Sequence, residues 1–320
     1  MKTLLIIIVN YNGLHNLKNC LPSIKKQENV IDFDICLVDN GSKDASVQYY
    51  KRIFPKGHTI IFNSNKGFAY PNTFAWEKFK NDYEYFFLLN NDAILEENFF
   101  SKLKKIIKEK PGVIAPLMLD YYNPDKIDNA GFHPTIWGIF IHNLKNKSIT
   151  FLKSSEQEIF GGCAGAIILN GKLLKEINLF EKSFFAYYED VELALRINMK
   201  KKWKTKIYKE LIVYHKHSQT LKNDPIFKKY LIHRNQLRCL IRNYPLSLLA
   251  IFSPFILFYI LITCTINTIK YKTSSFIKAR IDALKFLKED LKYRQQFNRE
   301  DFKNLQSKIF KYLRKNHFFI

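Results

Sequence analysis

The sequence predicts an α/β fold with a mostly parallel sheet flanked by helices, and two observations indicate it. Over the first 110 residues, short apolar runs rich in β-branched and aromatic residues alternate with segments of helical periodicity. Such alternation is typical of right-handed βαβ units with helices on both faces of the sheet. In addition, each apolar run ends in polar residues, as expected where the carboxyl ends of strands meet at a ligand-binding crevice.

Four strands and three connecting helices are predicted in this part of the chain. The strands are residues 4–9, 33–38, 59–62 and 85–89, and the helices are residues 14–26, 44–54 and 69–80. The polar strand ends are Asn10-Tyr11-Asn12, Asp39-Asn40-Gly41-Ser42, Asn63-Ser64-Asn65-Lys66-Gly67 and Asn90-Asn91-Asp92. One such end would mean little, because turns are rich in Asn, Asp and Gly. Four in succession predict a single crevice.

The most abrupt change of character is at residues 85–92, where five apolar residues run directly into Asn90-Asn91-Asp92. This pattern predicts a buried strand that delivers polar oxygens to the edge of the sheet, where a carboxylate can hold a metal. Because Asn and Asp also cap helices and residues 95–107 look helical, capping is an equally good interpretation of the triplet taken alone.

Beyond residue 110 the alternation is less regular. Residues 113–160 contain short apolar pieces with Pro116, Pro124 and Pro134, which predicts irregular strands and loops. Residues 160–169 combine a glycine-rich turn with an apolar run, which predicts another buried strand. These glycines either let the backbone approach a ligand or simply permit a tight bend.

Two further polar positions lie at the ends of predicted elements. Glu189 and Asp190 begin a helical pattern behind an aromatic run, where the helix dipole favours carboxylates. A carboxylate there is also placed to act as a general base, although capping alone explains it. His215 follows the apolar Leu211-Ile212-Val213 and again lies at the polar end of a strand, while a lone histidine is more often structural than a ligand.

The composition limits the class of protein and of partner. The chain of 320 residues has ample apolar content for a core, and its formal charge of +22 implies an acidic partner. Nucleic acid, an anionic membrane surface and a phosphorylated substrate all satisfy that requirement. The five cysteines form neither a zinc-site spacing nor a disulfide framework, which favours a reducing compartment. The apolar run at residues 3–9 lacks a cleavage site, so we expect a strand there and no exported precursor.

A charge-free run at residues 243–269 is the clearest shift in composition. It is longer than the roughly 20 residues that a transmembrane helix needs. Basic residues flank it on both sides and Pro254 divides it, so a re-entrant or interfacial membrane element is favoured over a simple span. A buried pair of core helices is the alternative. Residues 270–320 set Lys and Arg between Ile281, Leu284, Leu287 and Leu291, which predicts a basic amphipathic helix on an anionic membrane surface.

Taken together, a series of motifs over about the first 245 residues resembles the family 2 glycosyltransferases, and in particular their rhamnosyltransferase-like branch. The motifs are Ile8-Val9-Asn10-Tyr11-Asn12, Val38-Asp39-Asn40-Gly41-Ser42-Lys43-Asp44, Asn65-Lys66-Gly67-Phe68-Ala69 with Asn72, Leu89-Asn90-Asn91-Asp92, Gly161-Gly162-Cys163-Ala164-Gly165-Ala166, Tyr188-Glu189-Asp190-Val191-Glu192-Leu193 and His215. The resemblance implies a GT-A fold, an inverting mechanism, a nucleotide-sugar donor and a divalent cation.

For the donor, the resemblance implies that Tyr11 stacks on a pyrimidine and that Asp39 accepts a hydrogen bond from the base. Asn10, Asn65, Lys66, Gly67 and Asn91 would border the nucleotide. Asp92 is the last member of the family's acidic triplet and His215 matches an additional metal ligand, with His217 as a weaker choice. Because Asn90 and Asn91 are neutral, Asp92 and His215 would hold Mg²⁺ or Mn²⁺ together with the donor's phosphates.

For the acceptor, the resemblance implies that Asp190 is the general base and that Glu189 orients the attacking hydroxyl. Gly161, Gly162 and Cys163 would line the acceptor side. Arg234 and Arg238 either contact phosphates or occupy solvated helix positions.

The predicted organisation is a catalytic domain at residues 1–240, an apolar membrane-associated segment at 241–269 and a basic helical tail at 270–320. The expected function is sugar transfer from dTDP-rhamnose or a UDP-hexose to a lipid-linked or polysaccharide acceptor, at the cytoplasmic face of a membrane. A catalytically inactive scaffold with the same fold is the alternative. A nucleic-acid binder is disfavoured because no recognition motif is present.

Overall fold

The computed structural model describes residues 2–216 and 224–315 as one central sheet with helices on both faces and a helical C-terminal region. The strands are β1 Lys2–Asn10, β2 Phe33–Asp39, β3 His58–Ile61, β4 Tyr83–Leu89, β5 Ala93–Leu95, β6 Val113–Asp120, β7 Ile127–Asn129, β8 Phe132–Pro134, β9 Phe140–His142, β10 Glu156–Ile159, β11 Ala166–Asn170 and β12 Thr205–His215. The helices are α1 Leu14–Lys25, α2 Ser46–Ile53, α3 Ala69–Phe79, α4 Phe99–Ile107, α5 Gly171–Ile177, α6 Glu189–Met199, α7 Pro225–Asn243, α8 Leu246–Tyr271, α9 Ser275–Leu284, α10 Leu287–Arg294 and α11 Arg299–Lys315.

The strand order in the sheet is β10-β12-β6-β11-β4-β1-β2-β3, with β5 and β7 paired to β12 and β6. Strands β1 to β4 are mutually parallel, and β12 runs parallel to β6. Strand β11 is antiparallel to both β4 and β6, and β10 is antiparallel to β12. The predicted α/β class with a mostly parallel sheet is therefore confirmed, and so are the four strands and three helices predicted at the start of the chain.

Two apolar layers cover the sheet because the side chains of each strand alternate between its faces. Leu5 and Ile7 of β1 face a core that includes Trp76 of α3 and Leu195 of α6. Leu4, Ile6 and Ile8 face the opposite core, which includes residues of α1, α2 and α4. Strands buried on both faces explain why the sequence reads as continuous apolar runs rather than alternation.

The expectation of irregular strands across residues 113–160 is wrong for β6, which is a regular strand of eight residues in the middle of the sheet. Pro116 lowers the strand signal because it has no N–H to donate. The structure accommodates it at a bulge, where the register of β12 shifts between Tyr208 and Ile212 opposite Pro116 and Leu117. The rest of the segment does consist of short strands and loops.

Most of the charge-free apolar run at residues 243–269 folds as one continuous helix, α8. The interpretation that Pro254 divides this run is therefore wrong. A proline inside a helix leaves the carbonyl four residues earlier without its usual donor, here that of Ala250. The Ser253 Oγ donates to the Ala250 carbonyl at 2.9 Å and replaces the missing bond. Among the described residues α8 is the one helix long and apolar enough to cross a membrane.

Buried ion pairs connect helices α7 and α10 to α6 and to the segment that precedes it. The Arg238 guanidinium donates to both carboxylate oxygens of Asp290 in α10, at 3.0 and 2.9 Å. Arg242 contacts Asp290, Glu181 and Glu192, and Glu192 in turn pairs with Arg196. Because breaking one partner of a buried pair leaves an uncompensated charge, this network fixes α7 and α10 against α6.

Candidate active site

Four strand ends meet at one polar crevice, as predicted. The Asn91 Nδ2 donates to the Asn10 Oδ1 at 2.8 Å, and the Asn10 Nδ2 lies 3.4 Å from Asp39 Oδ1 and 3.2 Å from Ser42 Oγ. The Ser42 backbone N–H donates to the other Asp39 oxygen at 2.9 Å. These bonds connect the ends of β1, β2 and β4, because parallel strands deliver their carboxyl ends to the same edge.

The loop after β3 joins this network through Asn40. The Asn40 Nδ2 donates to Asn65 Oδ1 at 3.1 Å and to the Gly67 carbonyl at 2.6 Å, while its Oδ1 accepts from the Lys66 N–H at 3.0 Å. Gly67 has a φ of +82°, and a Cβ there would approach the Phe185 carbonyl oxygen to 2.3 Å. Only glycine fits this position, so Gly67 acts through its backbone.

A cavity of about 570 Å³ opens at the crevice, a volume suited to a small-molecule ligand. One side of it, the strand-end side, is lined by Val9, Tyr11, Asn40, Asn65, Gly67, Asn90, Asn91, Asp92 and His215. The other lining residues, here called the aromatic side, include Phe132, Ile139, Phe140, His142, Cys163, Ala164, Gly165, residues 185–191, Ile232 and Tyr259. A polar half and a largely apolar half therefore share one cavity.

Most of the predicted site residues line this cavity, but five do not. Asn10 and Asp39 are buried behind the wall and support it through the bonds above. Lys66 lies in a neighbouring cleft that it shares with Lys182 and Arg234. Gly161 and Gly162 pack against Phe132 and Ala115, respectively. Their lack of a side chain lets these core residues lie close to the backbone.

Asp92 and His215 come together on the strand-end side. Asp92 follows β4 and His215 ends β12, and the His215 Nε2 lies 3.2 Å from the Asp92 Oδ1. Both side chains are almost fully buried. Asn90-Asn91-Asp92 does not cap a helix, since the short strand β5 follows it and α4 begins only at Phe99. The capping interpretation of the triplet is therefore wrong.

Asp128 completes this pair, and no feature of the sequence indicated it. The Asp128 Oδ2 lies 2.8 Å from His215 Nδ1, and its other oxygen accepts from the Lys145 Nζ at 3.0 Å. Metal-binding histidines commonly donate their second ring N–H to a carboxylate, which fixes the orientation of the ring. Asp128 directs the His215 Nε2 toward Asp92 in the same way.

The charges of this cluster are mutually stabilising. Burial alone would lower the pKa of His215, but its hydrogen bonds to Asp128 and Asp92 outweigh burial and raise the pKa to about 9. Burial likewise opposes ionisation of Asp128, yet His215 and Lys145 hold its pKa well below the usual range.

One carboxylate and one imidazole suit a divalent cation as part of a larger shell. Within residues 2–216 and 224–315, no group of three or more His, Cys, Asp or Glu side chains converges as a metal cluster. Asp92 and His215 both line the cavity, with His215 Nε2 3.2 Å from Asp92 Oδ1, so they fit a shell completed by phosphate oxygens and water if the cation takes the place of the proton on Nε2. His217 lies outside the described residues.

The aromatic side depends on a strained segment just before α6. Phe185, Tyr187 and Tyr188 have φ values of 67°, 67° and 70°, a conformation that is costly for bulky side chains. The fully buried Asn235 of α7 holds the segment, because its Nδ2 donates to the carbonyls of Phe184, Ala186 and Tyr187 at 2.8–2.9 Å. Such strain is concentrated at functional sites, and here it delivers the next two residues to the cavity.

Those two residues are Glu189 and Asp190, which begin α6 as predicted. The Asp190 Oδ1 accepts from the Val191 N–H at 2.8 Å and the Oδ2 accepts from the Ala164 N–H at 3.4 Å. The Glu189 Oε2 is buried with no hydrogen-bond partner among the described residues. Burial raises the pKa of Asp190, and burial together with repulsion from Asp190 raises that of Glu189 well above its usual value. A general base needs such a raised pKa to accept a proton near neutral pH.

One histidine, His142, and one cysteine, Cys163, complete the surroundings of Asp190. Burial lowers the pKa of His142, and the Asn129 side-chain amide lies 2.6 Å from its Nδ1. Burial raises the pKa of the Cys163 thiol, so this cysteine is protonated.

Arg238 is neither solvated nor free for phosphates, whereas the half-buried Arg234 lines the neighbouring cleft. The Arg234 Nη2 donates to the carbonyls of Ser183 and Phe184, at 3.2 and 2.8 Å, and so helps to hold the strained segment. Arg238 is fully buried in its pair with Asp290. Both interpretations of Arg238 made from the sequence are therefore wrong, because the partner carboxylate comes from a helix more than 50 residues away.

Comparisons with known proteins identify the family and the fold. Residues 5–177, more than half of the chain, match the model of glycosyl transferase family 2. No curated protein matches the chain. Two of the similar solved structures are S. aureus TarS 1–349 in complex with UDP-GlcNAc, with 15% identity, a TM-score of 0.60 and coverage of 98% of this chain and 92% of that one, and GalNAc-T7 with UDP, GalNAc and Mn²⁺, with 15% identity and a TM-score of 0.66.

The match to GalNAc-T7 covers 99% of this chain but only 58% of that protein. At this level of identity the two structures establish the fold, which is GT-A-like. The family match rests on the first strands and helices, the same region whose strand ends form the crevice. The chain therefore belongs to glycosyl transferase family 2.

Proposed function

We propose that this protein transfers a sugar from a nucleoside diphosphate donor to an acceptor hydroxyl with inversion of the anomeric carbon. The observation that carries the proposal is the pairing of two chemistries in one cavity. The Asp92–His215 pair lies on the strand-end side, and a buried carboxylate of raised pKa, Asp190, lies on the aromatic side. An inverting transfer needs both, since a charge develops on the leaving diphosphate while a base removes the acceptor proton.

The strand-end side is the place for the donor. Tyr11, which is 39% exposed, is available to stack on a pyrimidine, while Asn65, Gly67 and Asn91 border the nucleotide. Asp39 shapes this wall from behind through Asn10 and the Ser42 N–H, and Lys66 would reach the nucleotide from the neighbouring cleft. GalNAc-T7 is solved with UDP and TarS with UDP-GlcNAc, which supports a pyrimidine nucleotide here. We infer dTDP-rhamnose or a UDP-hexose as the donor.

Asp92 and His215 would hold Mg²⁺ or Mn²⁺ together with the donor's phosphate oxygens. When bound, the cation would neutralise the charge that develops on the leaving diphosphate. The residues of the chain do the remaining work: Asp128 orients His215, and the Asn10–Asn91 bond fixes the strand end that carries Asp92.

Asp190 would accept the proton of the acceptor hydroxyl as its oxygen attacks from the face opposite the diphosphate. The N–H groups of Ala164 and Val191 hold its carboxylate in position. The unpartnered Glu189 Oε2 would accept a hydrogen bond from the acceptor and orient it. Cys163 and Gly165 would line the acceptor's path, with Gly161 and Gly162 as support behind them.

The acceptor is a lipid-linked or polysaccharide hydroxyl, and the enzyme works at the cytoplasmic face of a membrane. The apolar helix α8, with its basic flanks, supports this location. A rhamnosyltransferase-like role in surface glycan synthesis is the specific form of the proposal.

A non-catalytic nucleotide-binding scaffold is the second candidate, since Asn90 and Asn91 supply no charge beside Asp92. A thermal-shift screen of nucleotide sugars with Mn²⁺, followed by measurement of nucleotide release with lipid-linked and polysaccharide acceptors, separates the two. We expect stabilisation by one class of donor and acceptor-dependent release. Stabilisation by nucleotides without release from any donor would favour the scaffold, and no stabilisation by any nucleotide would contradict both.

A further inference from the structure

Helix α8 exposes most of its apolar surface. Its large side chains with the highest exposure are Leu246, Ile251, Leu257, Phe258, Leu261, Ile266 and Ile269, each more than half exposed. Only 17% of its most apolar 18-residue window is buried. A monomeric soluble protein rarely exposes a contiguous apolar surface of this size, so an apolar partner must cover it.

One side of α8 packs against the protein along its whole length. Leu248, Phe252, Ile256, Cys264 and Asn267 are buried, and they extend from the first turn of the helix to the last. Near its end, the Asn267 Oδ1 accepts from the Lys229 Nζ in α7 at 2.6 Å, and near its start Phe252 contacts Phe310 of α11.

The position of α7 beside α8 disfavours a perpendicular span. Helices α7 and α8 run antiparallel, since a short turn joins the end of α7 to the start of α8 while Lys229, near the start of α7, contacts Asn267. A spanning α8 would draw α7 into the hydrocarbon, with its Arg234, Arg238 and Arg242. Charged side chains at the bilayer centre are costly, which favours an α8 that lies along the membrane plane.

The exposed surface continues onto α9 and α10 and carries a basic border. Ile277, Ile281, Leu284, Leu287 and Leu291 are 39–57% exposed. The exposed charged side chains of residues 270–292 are Lys270, Lys272, Lys278, Lys285, Lys288, Glu289 and Lys292. An apolar face bordered by lysines complements the interface of an anionic membrane.

The turn between β8 and β9 joins the same surface through Trp137. This half-buried indole lies with its ring centroid 5.6 Å from that of Phe255 and 6.2 Å from that of Phe258 on the outer side of α8. Gly138 (φ +67°) allows the turn to seat tightly, because a Cβ there would approach Leu240 and Ile256 to 2.8 and 3.1 Å. Tryptophan is favoured at membrane interfaces, where its N–H stays hydrated.

The same two elements also form the wall of the catalytic cavity. Tyr259, the neighbour of Phe258 in α8, lines the cavity, and so do Ile139 and Phe140 of the β8–β9 region. The outer surface and the aromatic side of the cavity thus lie on opposite sides of one layer of side chains.

We propose that α8, the outer faces of α9 and α10, and Trp137 form a single surface that inserts into the interfacial layer of an anionic membrane, with α8 parallel to the membrane plane. This surface makes the membrane location in the proposed function specific. Only the role of the adjoining cavity in binding an acceptor rests on the proposed function. The aromatic side of the cavity is held at the membrane surface, where a lipid-linked acceptor would be met.

The first test measures binding of the full chain to vesicles of phosphatidylcholine with phosphatidylglycerol, without nucleotide or acceptor. We expect binding that weakens with salt and with omission of phosphatidylglycerol. The affinity of the double variant L257E/L261E for these vesicles should fall at least about tenfold. Both side chains are exposed, so the glutamates would carry charge into the interface. The control Phe151→Glu changes an equally exposed apolar residue outside this surface and should bind as the unmodified protein does.

The second test uses Trp137 as a probe of insertion. Lipids brominated near the headgroup should quench part of the fluorescence of the unmodified protein, and Trp137→Phe should remove that quenching, since Trp76 and Trp203 are buried in the core. Lipids brominated deep in the chain should quench less.

The third test decides between an in-plane and a spanning helix. Ser247→Cys and Lys272→Cys place thiols at exposed positions near the two ends of α8. On vesicles, a membrane-impermeant maleimide added outside should label both variants. Protection of one end alone would show a span and overturn the proposal, as would equal binding by L257E/L261E or the absence of vesicle binding.

A second copy of the chain is the competing occupant of the surface. A dimer in solution that L257E/L261E dissociates, with no vesicle binding, would overturn the proposal in its favour. None of these tests requires turnover, so their failure leaves the transferase proposal standing, and a failure to find nucleotide release leaves the membrane surface standing.

Discussion

The strand-end side of the cavity is lined by Asn, Asp and His side chains that bond one another, whereas the aromatic side surrounds two carboxylates with rings and aliphatic groups. On the strand-end side, charges are paired: Asp92 with His215, and His215 with Asp128. On the aromatic side, Glu189 and Asp190 are buried next to each other, and burial raises the pKa of both. The first arrangement suits fixed ligands that hold a divalent cation beside the donor's phosphates, and the second suits a group that must take up a proton.

The largest effect that separates the two sides is expected from Asp190→Asn. An amide at this position cannot accept the acceptor's proton, so turnover should fall about 10²- to 10⁴-fold. Turnover is measured as nucleotide release with the donor found by the screen. Near-normal turnover by the variant would show that Asp190 is not the general base.

A smaller effect is expected from Asp128 on the strand-end side. Asp128→Ala leaves His215 Nδ1 without its carboxylate, so the Mn²⁺ affinity measured through UDP binding should fall about 10- to 100-fold. Asp128→Asn keeps an oxygen that can accept from the His215 Nδ1, so its Mn²⁺ affinity should fall less.

The exposed Asp125, three residues away, provides the matched control, because Asp125→Ala removes a carboxylate without touching His215. Equal Mn²⁺ affinity in the Asp128→Ala and Asp125→Ala variants would show that Asp128 does not position the histidine.

The smallest effect is on stability, and it comes from the raised pKa of Asp190 on the aromatic side. The pKa of Asp190 is higher in the folded chain than in the unfolded chain, so its contribution to stability is complete below the ordinary carboxyl pKa and is lost as pH rises through the raised value. The amide of the Asp190→Asn variant does not ionise, so the variant suffers no such loss. The Tm of Asp190→Asn minus that of the unmodified chain should therefore be larger at pH 8 than at pH 4.

Thermal denaturation across this pH range checks the prediction, with Glu189→Gln expected to behave in the same direction. A Tm difference that does not change with pH would mean that Asp190 is ionised without cost.

The two sides also differ in how far the sequence predicts them. The strand-end side is built from residues that directly follow apolar strands, so Asp92 and Asn65 could be placed from local pattern alone. On the aromatic side the signals were Glu189 and Asp190, at the start of a helix, and the glycine-rich turn that contains Cys163. Asn235 acts from α7 on carbonyls 48 to 51 residues earlier, and nothing near it in the chain records that contact.

The remaining misses have similar physical causes. Asp128 lies in the three-residue strand β7, which is too short to show a periodicity, and its partner His215 is 87 residues away. Pro254 was expected to divide the apolar run because a proline breaks helix bonding, and the compensating bond from Ser253 Oγ is visible only in three dimensions.

The division of the cavity into a donor side and a base side is tested most directly by calorimetry of UDP and dTDP binding, each with Mn²⁺, to Asp92→Ala and Asp190→Asn. The account predicts that Asp190→Asn binds nucleotide with the affinity of the unmodified protein, whereas Asp92→Ala loses the part of the affinity that depends on Mn²⁺. Full metal-dependent binding by Asp92→Ala, or its loss in Asp190→Asn, would contradict the account.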